Sequence, residues 1–489
     1  MALDRHILTI VEPKVKLDPL QTSNLGERES GDAHSSMQGG LYPLIRVNGQ
    51  IFQQEEVLKF TLDMSGKYPE IRATLKDMNN VFTVDQFPRD GDILSLRIEL
   101  DKAGTYKDIR MDFVILEFSG IPTKTLDKVS GESKYNVRAI AKIPGMYTDE
   151  CKPYGNKPSL DHIKDIASDL KIGVATNIDN TQDAMNRFCA YQTKLEFLDK
   201  TVMHSYISDD AFISYSIDPY YYVNFVNLQK VFNAPNVVEK FEMITKDHYN
   251  ERGTDPKEGA GKEEIDLILT NHHNAKGINI EILKYNVVNN STKIVLENGY
   301  RRKMQYFDVD NNELLEFDVE SLVSDSLGDR EEALKGRRNS DTDEYDTHIK
   351  QKYVGLQNDN LHTNYNYAFI NNVQNIVELD KMYLEVELAA LNPALYKYMK
   401  IPIQLYNYGA NANAVADKLN EKLVEKDLEQ DSKEDSASDN QEPSNFTLDK
   451  FLSAHYVIMG IKYNYSQKDG YTQTLKLARR EWPAKVNNI

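Results

Sequence analysis

The acidic stretch around Asp308 has the spacing closest to that of a metal-binding loop. Asp308, Asp310 and Asn312 stand at alternate positions, as the first ligands of an EF-hand calcium loop do. The position where an EF-hand needs glycine is Glu313, and the twelfth position, which should be a bidentate glutamate, is Val319. The stretch is therefore predicted to form a hairpin turn and not a calcium site.

Two other groups of side chains could in principle carry out chemistry. His272 and His273 are adjacent at the edge of a predicted strand, where neighbouring side chains point to opposite faces, so we predict exposed imidazoles. Asp209 and Asp210 could form the carboxylate pair of a glycosidase. A chain with 76 acidic residues contains such pairs by chance, so this pattern indicates little.

Motifs that bind common cofactors are missing from the sequence. It has no phosphate-binding G-x-x-x-x-G-K-[ST] loop, no dinucleotide fingerprint, no H-E-x-x-H and no paired C-x-x-C. The sequence therefore predicts no catalytic residues, no cofactor and no metal, and a protein that is not an enzyme.

The end of the chain carries residue types that are typical of protein interfaces. Arginine and tryptophan, which are enriched among residues that dominate binding energy, occur together in "ARREWP"; the alternative is a solvated strand end. Upstream, "HYVIMGIKYNY" is apolar on both faces, which indicates either a subunit contact or a central strand buried within one subunit. We predict the contact for this hairpin and the central strand for the similar run "MDFVILEF". The predicted interface residues are Ile458, Ile461, Arg479, Arg480 and Trp482.

Length and composition describe a multidomain protein with sizeable cores. The chain has 489 residues, which corresponds to three or four domains at roughly 100–200 residues each. Its net charge of −18 argues against non-specific binding of nucleic acid, which needs a basic surface. No run of about 18 apolar residues occurs, so no membrane span is expected. Cys151 and Cys189 are too few for a disulfide framework and are predicted to be reduced thiols of a protein made in a cytoplasm.

Most of the chain has the alternating pattern of short β-strands. Tight-turn signals such as Asn48-Gly49 and Asp469-Gly470 separate them, as in small barrels or sandwiches. The predicted fold class is α+β and β-dominated, with two small β-barrel domains and an intervening helical module. The predicted domains are a flexible N-terminal arm at 1–40, a first β-barrel domain at 41–150, the helical module at 151–235, and a second β-barrel domain at 236–489 with polar insertions near 246–264, 324–350 and 410–447.

The helical module has recognisable helix boundaries. Ser159 is predicted to cap its first helix, and Gly173 to end it. Thr193 and Glu196 form the capping box of a second helix. Two aromatic, β-branched runs on either side of Asp218 predict a closing hairpin.

One further helix is predicted inside the second β domain. In "YNYAFINNVQNIVELDK", Phe369, Val373, Ile376 and Val377 recur at helical spacing. These four side chains are predicted to form its apolar face.

Several stretches resemble the central baseplate hub of contractile-tailed bacteriophages. They are "LDHIKDIASDLKIGVATNIDNTQDAMN", the helix from Lys194 to His204, "FISYSIDPYYYVNFVN" and the terminal "YTQTLKLARREWP". More distantly, the chain looks like late control protein D and the hub portion of the type VI spike protein VgrG. The resemblance covers roughly 41–485 in the order of its elements.

This resemblance implies a structural protein of the virion tail baseplate. It implies a homotrimer whose two barrels per chain give a ring of six units, which matches a six-fold tail tube to a three-fold central spike. The implied partners are further copies of the chain, the spike protein, the tail tube or tube-initiator protein, and the tape measure protein and DNA that pass through the channel.

Two other functions stay open at this point. A tail-associated peptidoglycan hydrolase would need a cleft with convergent carboxylates, which the sequence does not indicate. A β-rich, carbohydrate-binding tail adhesin would need exposed aromatic platforms, and the 29 tyrosines leave that possible.

Overall fold

The computed structural model describes both β segments and the helical module. The described residues are 8–17, 43–52, 55–78, 82, 88–89, 91–99, 108–122, 133–234, 267–271, 278–290, 293–294, 302–319, 351–407, 447–449 and 451–480. In chain order the elements are β1 (Thr9–Val11), β2 (Leu44–Val47), β3 (Gln50–Phe52), β4 (Val57–Asp63), β5 (Glu70–Asp77), β6 (Ile93–Ile98), β7 (Ile109–Pro122), β8 (Ser133–Ala141), β9 (Asp149–Lys157), α1 (Ser159–Asp169), β10 (Gly173–Thr176), β11 (Met185–Thr193), α2 (Lys194–Met203), β12 (Ile213–Ile217), β13 (Tyr222–Asn227), α3 (Leu228–Asn233), β14 (Leu267–Thr270), β15 (Ile278–Asn289), β16 (Arg302–Asp308), β17 (Glu313–Val319), β18 (Gln351–Gln357), α4 (Tyr365–Leu379), β19 (Met382–Leu388), β20 (Lys400–Gln404), β21 (Tyr406–Asn407), β22 (Thr447–Leu448), β23 (Ala454–Ser466) and β24 (Gly470–Ala478).

Strands β2 to β8 form the first β unit. They lie in the order β4-β5-β8-β7-β6-β2-β3, and every neighbouring pair is antiparallel. The alternation seen in the sequence places Phe60 and Leu62 of β4, with Ile71 and Leu75 of β5, in the core. Among the described residues no pairing joins β2 or β3 to β4, so this sheet is open, and closure of the predicted first barrel stays a prediction.

Strands β14, β15, β19, β20, β23 and β24 form the second β unit, which is a closed barrel. Their order is β20-β14-β15-β19-β24-β23, and β23 pairs again with β20 to complete the ring. A separate three-stranded sheet, β17-β16-β18, and helix α4 are inserted between β15 and β19. The prediction of a β-dominated α+β protein is confirmed.

The helical module lies beside the β units and contains two small sheets. One has the order β1-β10-β13-β12, and the other pairs β9 with β11. The predicted hairpin is β12–β13, and the predicted capping box is present, because Thr193 Oγ1 accepts the N–H of Glu196 at 3.2 Å while Thr193 N donates to Glu196 Oε2 at 3.0 Å. No helix among the described residues is long and apolar enough to span a membrane.

Two predicted helix boundaries were wrong. The N-cap of α1 is Pro158, and Ser159 is the first helical residue, whose hydroxyl instead accepts a hydrogen bond from Arg187 Nη2 at 2.6 Å. The left-handed residue after α1 is Lys171, at φ +59°, while Gly173 begins β10. Glycine is needed there for a different reason, since a Cβ would stand 2.3 Å from the ring of Tyr222.

The prediction of a flexible arm at 1–40 was wrong for residues 8–17. There β1 pairs antiparallel with β10, Leu8 is buried, and Leu17 N donates to Lys171 O at 2.6 Å. The rest of that arm lies outside the described residues, as do the insertions predicted near 246–264, 324–350 and 410–447, apart from Thr447. The exact domain limits stay predictions.

Candidate subunit interface

The two β units share one strand order. It is β4-β5-β8-β7-β6-β2 in the first unit and β15-β19-β24-β23-β20-β14 in the second. When the strands are numbered along the chain, the same numbers occupy the same places in both orders; β3 is left out because it has no counterpart among the described strands of the second unit. Five of the six also agree in direction, whereas β2 is antiparallel to β6 and β14 is parallel to β20.

Irregularities in strand register fall at equivalent places in both units. One occurs at Leu116 in β7 and at Met459 in β23, each against the strand that follows it in sequence. Another occurs at Leu58 in β4 and at Leu283 in β15. Because such bulges set the local twist and register, their agreement gives a residue-by-residue alignment of the two units.

The sequences agree with this alignment. "VLKFTL" at 57–62 corresponds to "ILKYNV" at 282–287, and "FVIL" at 113–116 corresponds to "YVIM" at 456–459. The two β units are therefore two forms of one structural repeat.

β4 and β23 join the two units in a single thirteen-stranded sheet. We call their contact the internal junction. The first half of β23 pairs with β20, and its second half leaves the barrel and pairs antiparallel with β4. The paired residues are Asp63↔Lys462, Leu62↔Tyr463, Thr61↔Asn464, Phe60↔Tyr465 and Lys59↔Ser466.

The internal junction is held by packing and by charge. The rings of Phe60 and Tyr465 stack with centroids 5.7 Å apart, and Lys462 Nζ lies 3.5 Å from Asp63 Oδ2. Stacked aromatic pairs and opposite charges directly across a sheet each add about 0.2–1 kcal/mol to strand pairing. Burial of Leu62 at this contact adds the hydrophobic contribution.

Lys397 makes a second contact between the units. Its Nζ donates to Ser65 O at 3.1 Å and to Gly66 O at 2.8 Å, in the loop after β4. Burial, together with the nearby cation of Lys476, lowers the pKa of Lys397 to about 7. The three carbonyl acceptors, which include Met64 O at 3.4 Å, tie the β19–β20 loop to the first unit.

Each β unit also has a strand edge that is equivalent to one side of the internal junction but is not paired with any described strand. The outer edge of β7 at 116–122 is equivalent to the part of β23 that pairs with β4, yet no described strand pairs with it. The outer edge of β15 at 283–289 is equivalent to β4, and no described strand pairs with it either. We call these the open edges of β7 and β15.

Helix α4 fixes the second unit on the helical module through asparagine amides. Asn371 Nδ2 donates to Ala211 O at 2.7 Å. Asn372 Nδ2 donates to Ser205 O at 3.0 Å, and its Oδ1 accepts the N–H of Ile213 at 2.9 Å. The helix was predicted correctly, but its buried face carries these amides, while Phe369, Val373, Ile376 and Val377 are only partly buried.

Two histidines lie at the same contact. The ring of His204 stacks on Tyr365 with centroids 3.7 Å apart, and its Nδ1 lies 3.1 Å from Tyr365 O. His362 Nε2 lies 3.0 Å from His204 O. Burial lowers the pKa of His204 to about 3 and also lowers the pKa of His362, so both imidazoles are neutral in the folded protein at pH 7.

This arrangement predicts a loss of stability in mild acid. The unfolded chain protonates these histidines near pH 6.5, whereas folded His204 stays neutral down to about pH 3, so stability that is present above pH 6.5 is lost as the pH falls. We expect the free energy of unfolding to decrease between pH 6.5 and 5 by up to about 1.4 kcal/mol per pH unit from His204. His204→Gln should reduce this slope in urea titrations. An unchanged slope in His204→Gln would contradict the assignment.

The predicted chemical sites have structural roles where the structure describes them. Asp308 Oδ2 accepts the side-chain amide of Asn311 at 2.9 Å, and its Oδ1 accepts the backbone N–H groups of Asp310 at 3.0 Å and Asn311 at 3.1 Å. These bonds, the side-chain bond most strongly, lower the pKa of Asp308. The predicted hairpin is confirmed as β16–β17.

Within the described ranges no cluster of three His, Cys, Asp or Glu could hold a metal. Exposed Asp209 accepts the hydroxyl of Tyr206 at 2.9 Å, and His272 and His273 lie outside the described residues.

The residues predicted at a subunit contact fall into different settings. Ile458 and Ile461 are buried within the chain's own core, Ile461 being 3% exposed, so their side chains have no surface left for a neighbouring copy. The apolar run was interpreted correctly as covered on both faces, but the cover comes from the same chain: Ile458 packs in the main hydrophobic core, and Val457 packs in a second core with Phe212 and Tyr222 of the helical module. Arg479 packs over Phe451 and Tyr456, and burial lowers its pKa.

The last two predicted contact residues stay untested. Arg480 Nη1 donates to Asn233 Oδ1 at 3.3 Å, near the end of α3. Trp482 lies outside the described residues. Sequence analysis missed the open edges, although the repeated "VLKFTL" and "ILKYNV" could have revealed them.

Comparisons with known proteins find similarity only among solved structures. No protein-family model matches the sequence, and no curated protein matches it. A tail protein from Neisseria meningitidis MC58 has a TM-score of 0.44 and 8% identity, covering 89% of this chain and 96% of that one. The 43 kDa tail protein of prophage MuSo2 from Shewanella oneidensis has a TM-score of 0.43 and 9% identity, covering 91% and 99%.

A third similar structure comes from a secretion system. It is an E. coli component of the type VI secretion system, described as structurally similar to the T4 bacteriophage tail proteins gp27 and gp5. Its TM-score is 0.38 and its identity 8%, covering 90% of this chain and 79% of that one. Two of these structures are tail proteins and one is a type VI secretion component, while the fold of this chain is established by its own strand topology.

Proposed function

We propose that this chain is the structural hub of a phage-type tail baseplate, a homotrimeric ring that joins the tail tube to the central spike. The observation that carries the proposal is the duplication of one β unit within the chain. The chain has two such units in series, and each unit has an open edge that is equivalent to one side of the internal junction. This arrangement favours a head-to-tail ring. Three copies would give six similar units.

A ring of six similar units in three chains would solve a symmetry mismatch. It would present six equivalent β units to a six-fold tube and three equivalent chains to a three-fold spike. The choice of a tail, instead of another ring-shaped assembly, comes from the stretches that resemble the phage hub. The partners that follow are the spike protein, the tube or tube-initiator protein, and the tape measure protein and DNA in the channel.

The acidity of the chain suits a conduit for DNA. If acidic side chains of this chain, whose net charge is −18, face the channel, they would repel a polyanion and DNA would pass without adhering. The function is mechanical and non-enzymatic in this proposal, with its place in the virion tail.

The mass of the purified protein in solution tests the proposal. We expect light scattering to give three chains of 56.1 kDa, about 168 kDa. The complex should persist at high salt if apolar burial dominates the contact, because salt screens only the charged part. A chain that stays monomeric at tens of micromolar concentration, alone and with a candidate spike, would overturn the hub.

A further inference from the structure

The open edges expose positions that the internal junction buries. Val287 of β15 is 36% exposed, whereas its equivalent in β4, Leu62, is 0% exposed. Leu283 is 54% exposed and Leu116 is 52% exposed, while their equivalents, Leu58 and Met459, are partly buried. Large apolar side chains on an uncovered strand edge invite pairing with another strand. At the internal junction, where both strands belong to one chain, the equivalent apolar side chains are buried or partly buried.

We propose that the open edge of β7 in one copy of this chain pairs antiparallel with the open edge of β15 in a second copy. The internal junction shows that this sheet architecture accepts a strand of the β23 type against a strand of the β4 type. Each chain has one open edge of each type, the edge of β7 in the first unit and the edge of β15 in the second. The contact is therefore heterologous and can close into a ring. Closure at three copies rests on the proposed function.

The alignment of the units predicts the register of this contact. Asp63↔Lys462 becomes Val288↔Ser119, and Leu62↔Tyr463 becomes Val287↔Gly120. Met64 N donates to Ile461 O in the internal junction, so the pairs alternate from there between hydrogen-bonded and non-hydrogen-bonded. By this alternation Val287↔Gly120 is a hydrogen-bonded pair and Val288↔Ser119 is not.

The two contacts are related without being identical. Gly460, where a Cβ would stand 2.7 Å from the Ser65 hydroxyl, corresponds to Glu117. Tyr465 corresponds to Pro122, which has no N–H to donate. The ladder between copies is therefore shorter at the Pro122 end, and we place its centre at Gly120.

A disulfide placed across the predicted pair tests both the contact and its register. Directly opposite, non-hydrogen-bonded residues have Cα atoms about 4.5 Å apart, which suits a disulfide. Ser119→Cys/Val288→Cys, built in a Cys151→Ser background because Cys151 is exposed, should form intermolecular disulfides on mild oxidation. We expect most chains to run as covalent oligomers up to the trimer in non-reducing gels.

Four control variants define the result. Asp63→Cys/Lys462→Cys occupies the equivalent pair of the internal junction and should close within one chain, giving a faster monomer band. Each single variant, Ser119→Cys or Val288→Cys, should give at most a dimer. Ser119→Cys/Asn286→Cys shifts the register by two residues, to about 7–8 Å, and should cross-link poorly.

The outcomes separate this inference from the proposed function. Trimers by light scattering that do not cross-link would overturn the β7–β15 pairing alone. Monomers that do not cross-link would overturn the pairing and the hub together. Cross-linked chains longer than three copies would support the pairing and overturn the three-copy ring. Equal cross-linking in the register-shifted variant would overturn the predicted register.

Discussion

Leu62→Asp is expected to destabilise the chain strongly, whereas Val287→Asp should leave its stability nearly unchanged and prevent its assembly. The two positions are equivalent in the two β units, but Leu62 is covered by β23 of its own chain and Val287 is on an open edge. A carboxylate at Leu62 would lose about 1.5–3 kcal/mol of burial and add the cost of an unpaired buried charge. We expect a total loss above about 4 kcal/mol, against about 0.5 kcal/mol for the Val287 variant as a monomer.

Urea denaturation and light scattering on the same samples measure both effects. Val354→Asp is the matched control, since it places the same change on an exposed strand of the inserted three-stranded sheet. It should leave both stability and assembly unchanged. If Val287→Asp assembles as well as the unmodified chain, the open edge of β15 is not a contact between copies.

Asp183→Ala should destabilise the protein by about 3–5 kcal/mol, the second largest effect that we expect. The carboxylate is fully buried, and its two oxygens accept the N–H of Ser159 at 2.9 Å and of Tyr206 at 3.0 Å. It also lies 3.9 Å from Nη2 of buried Arg187. Its removal would leave a buried cation without its counter-ion and would uncap the start of α1.

The exposed Asp209→Ala provides the comparison for this variant. Asp209 bonds only the hydroxyl of Tyr206 among the contacts described, so its loss should cost about 0.5 kcal/mol or less. Calorimetric melting of the two variants is sufficient to rank them. Equal midpoints would show that Asp183 does not organise the helical module.

The local structure of this chain was largely predictable because its patterns are strong. Period-two alternation identified the strands of both β units, and the turns at Asn48-Gly49 and Asn312 have the positive φ angles that such turns need. The capping box of α2 was equally clear. These features depend on neighbours in sequence, so the sequence alone determines them.

The buried face of α4 could not be predicted from hydrophobic periodicity. Asn371, Asn372 and Asn375 are buried because their amides satisfy backbone groups of the helical module and of α4 itself. A search for apolar stripes selects Phe369 and Val373 instead. Only the tertiary contact shows which polar groups find partners.

The apolar run in β23 illustrates a second limit. It correctly indicated a strand covered on both faces, but the sequence does not say which chain supplies the cover. In the structure the cores of the same chain supply it, and the similar run in β7, predicted to be a central strand, is buried at Met111 and Phe113 but exposed at Leu116. The candidate contact therefore moves from Ile458 and Ile461 to the equivalent edge in the first unit.

Electron microscopy of the purified assembly, viewed along its axis, tests the central claim most directly. We predict closed rings with three-fold symmetry in which six similar β units surround one channel, alternately linked within and between chains. A ring with a different number of units, an open filament, or a particle in which the two β units of a chain do not lie side by side in the same ring would contradict the account.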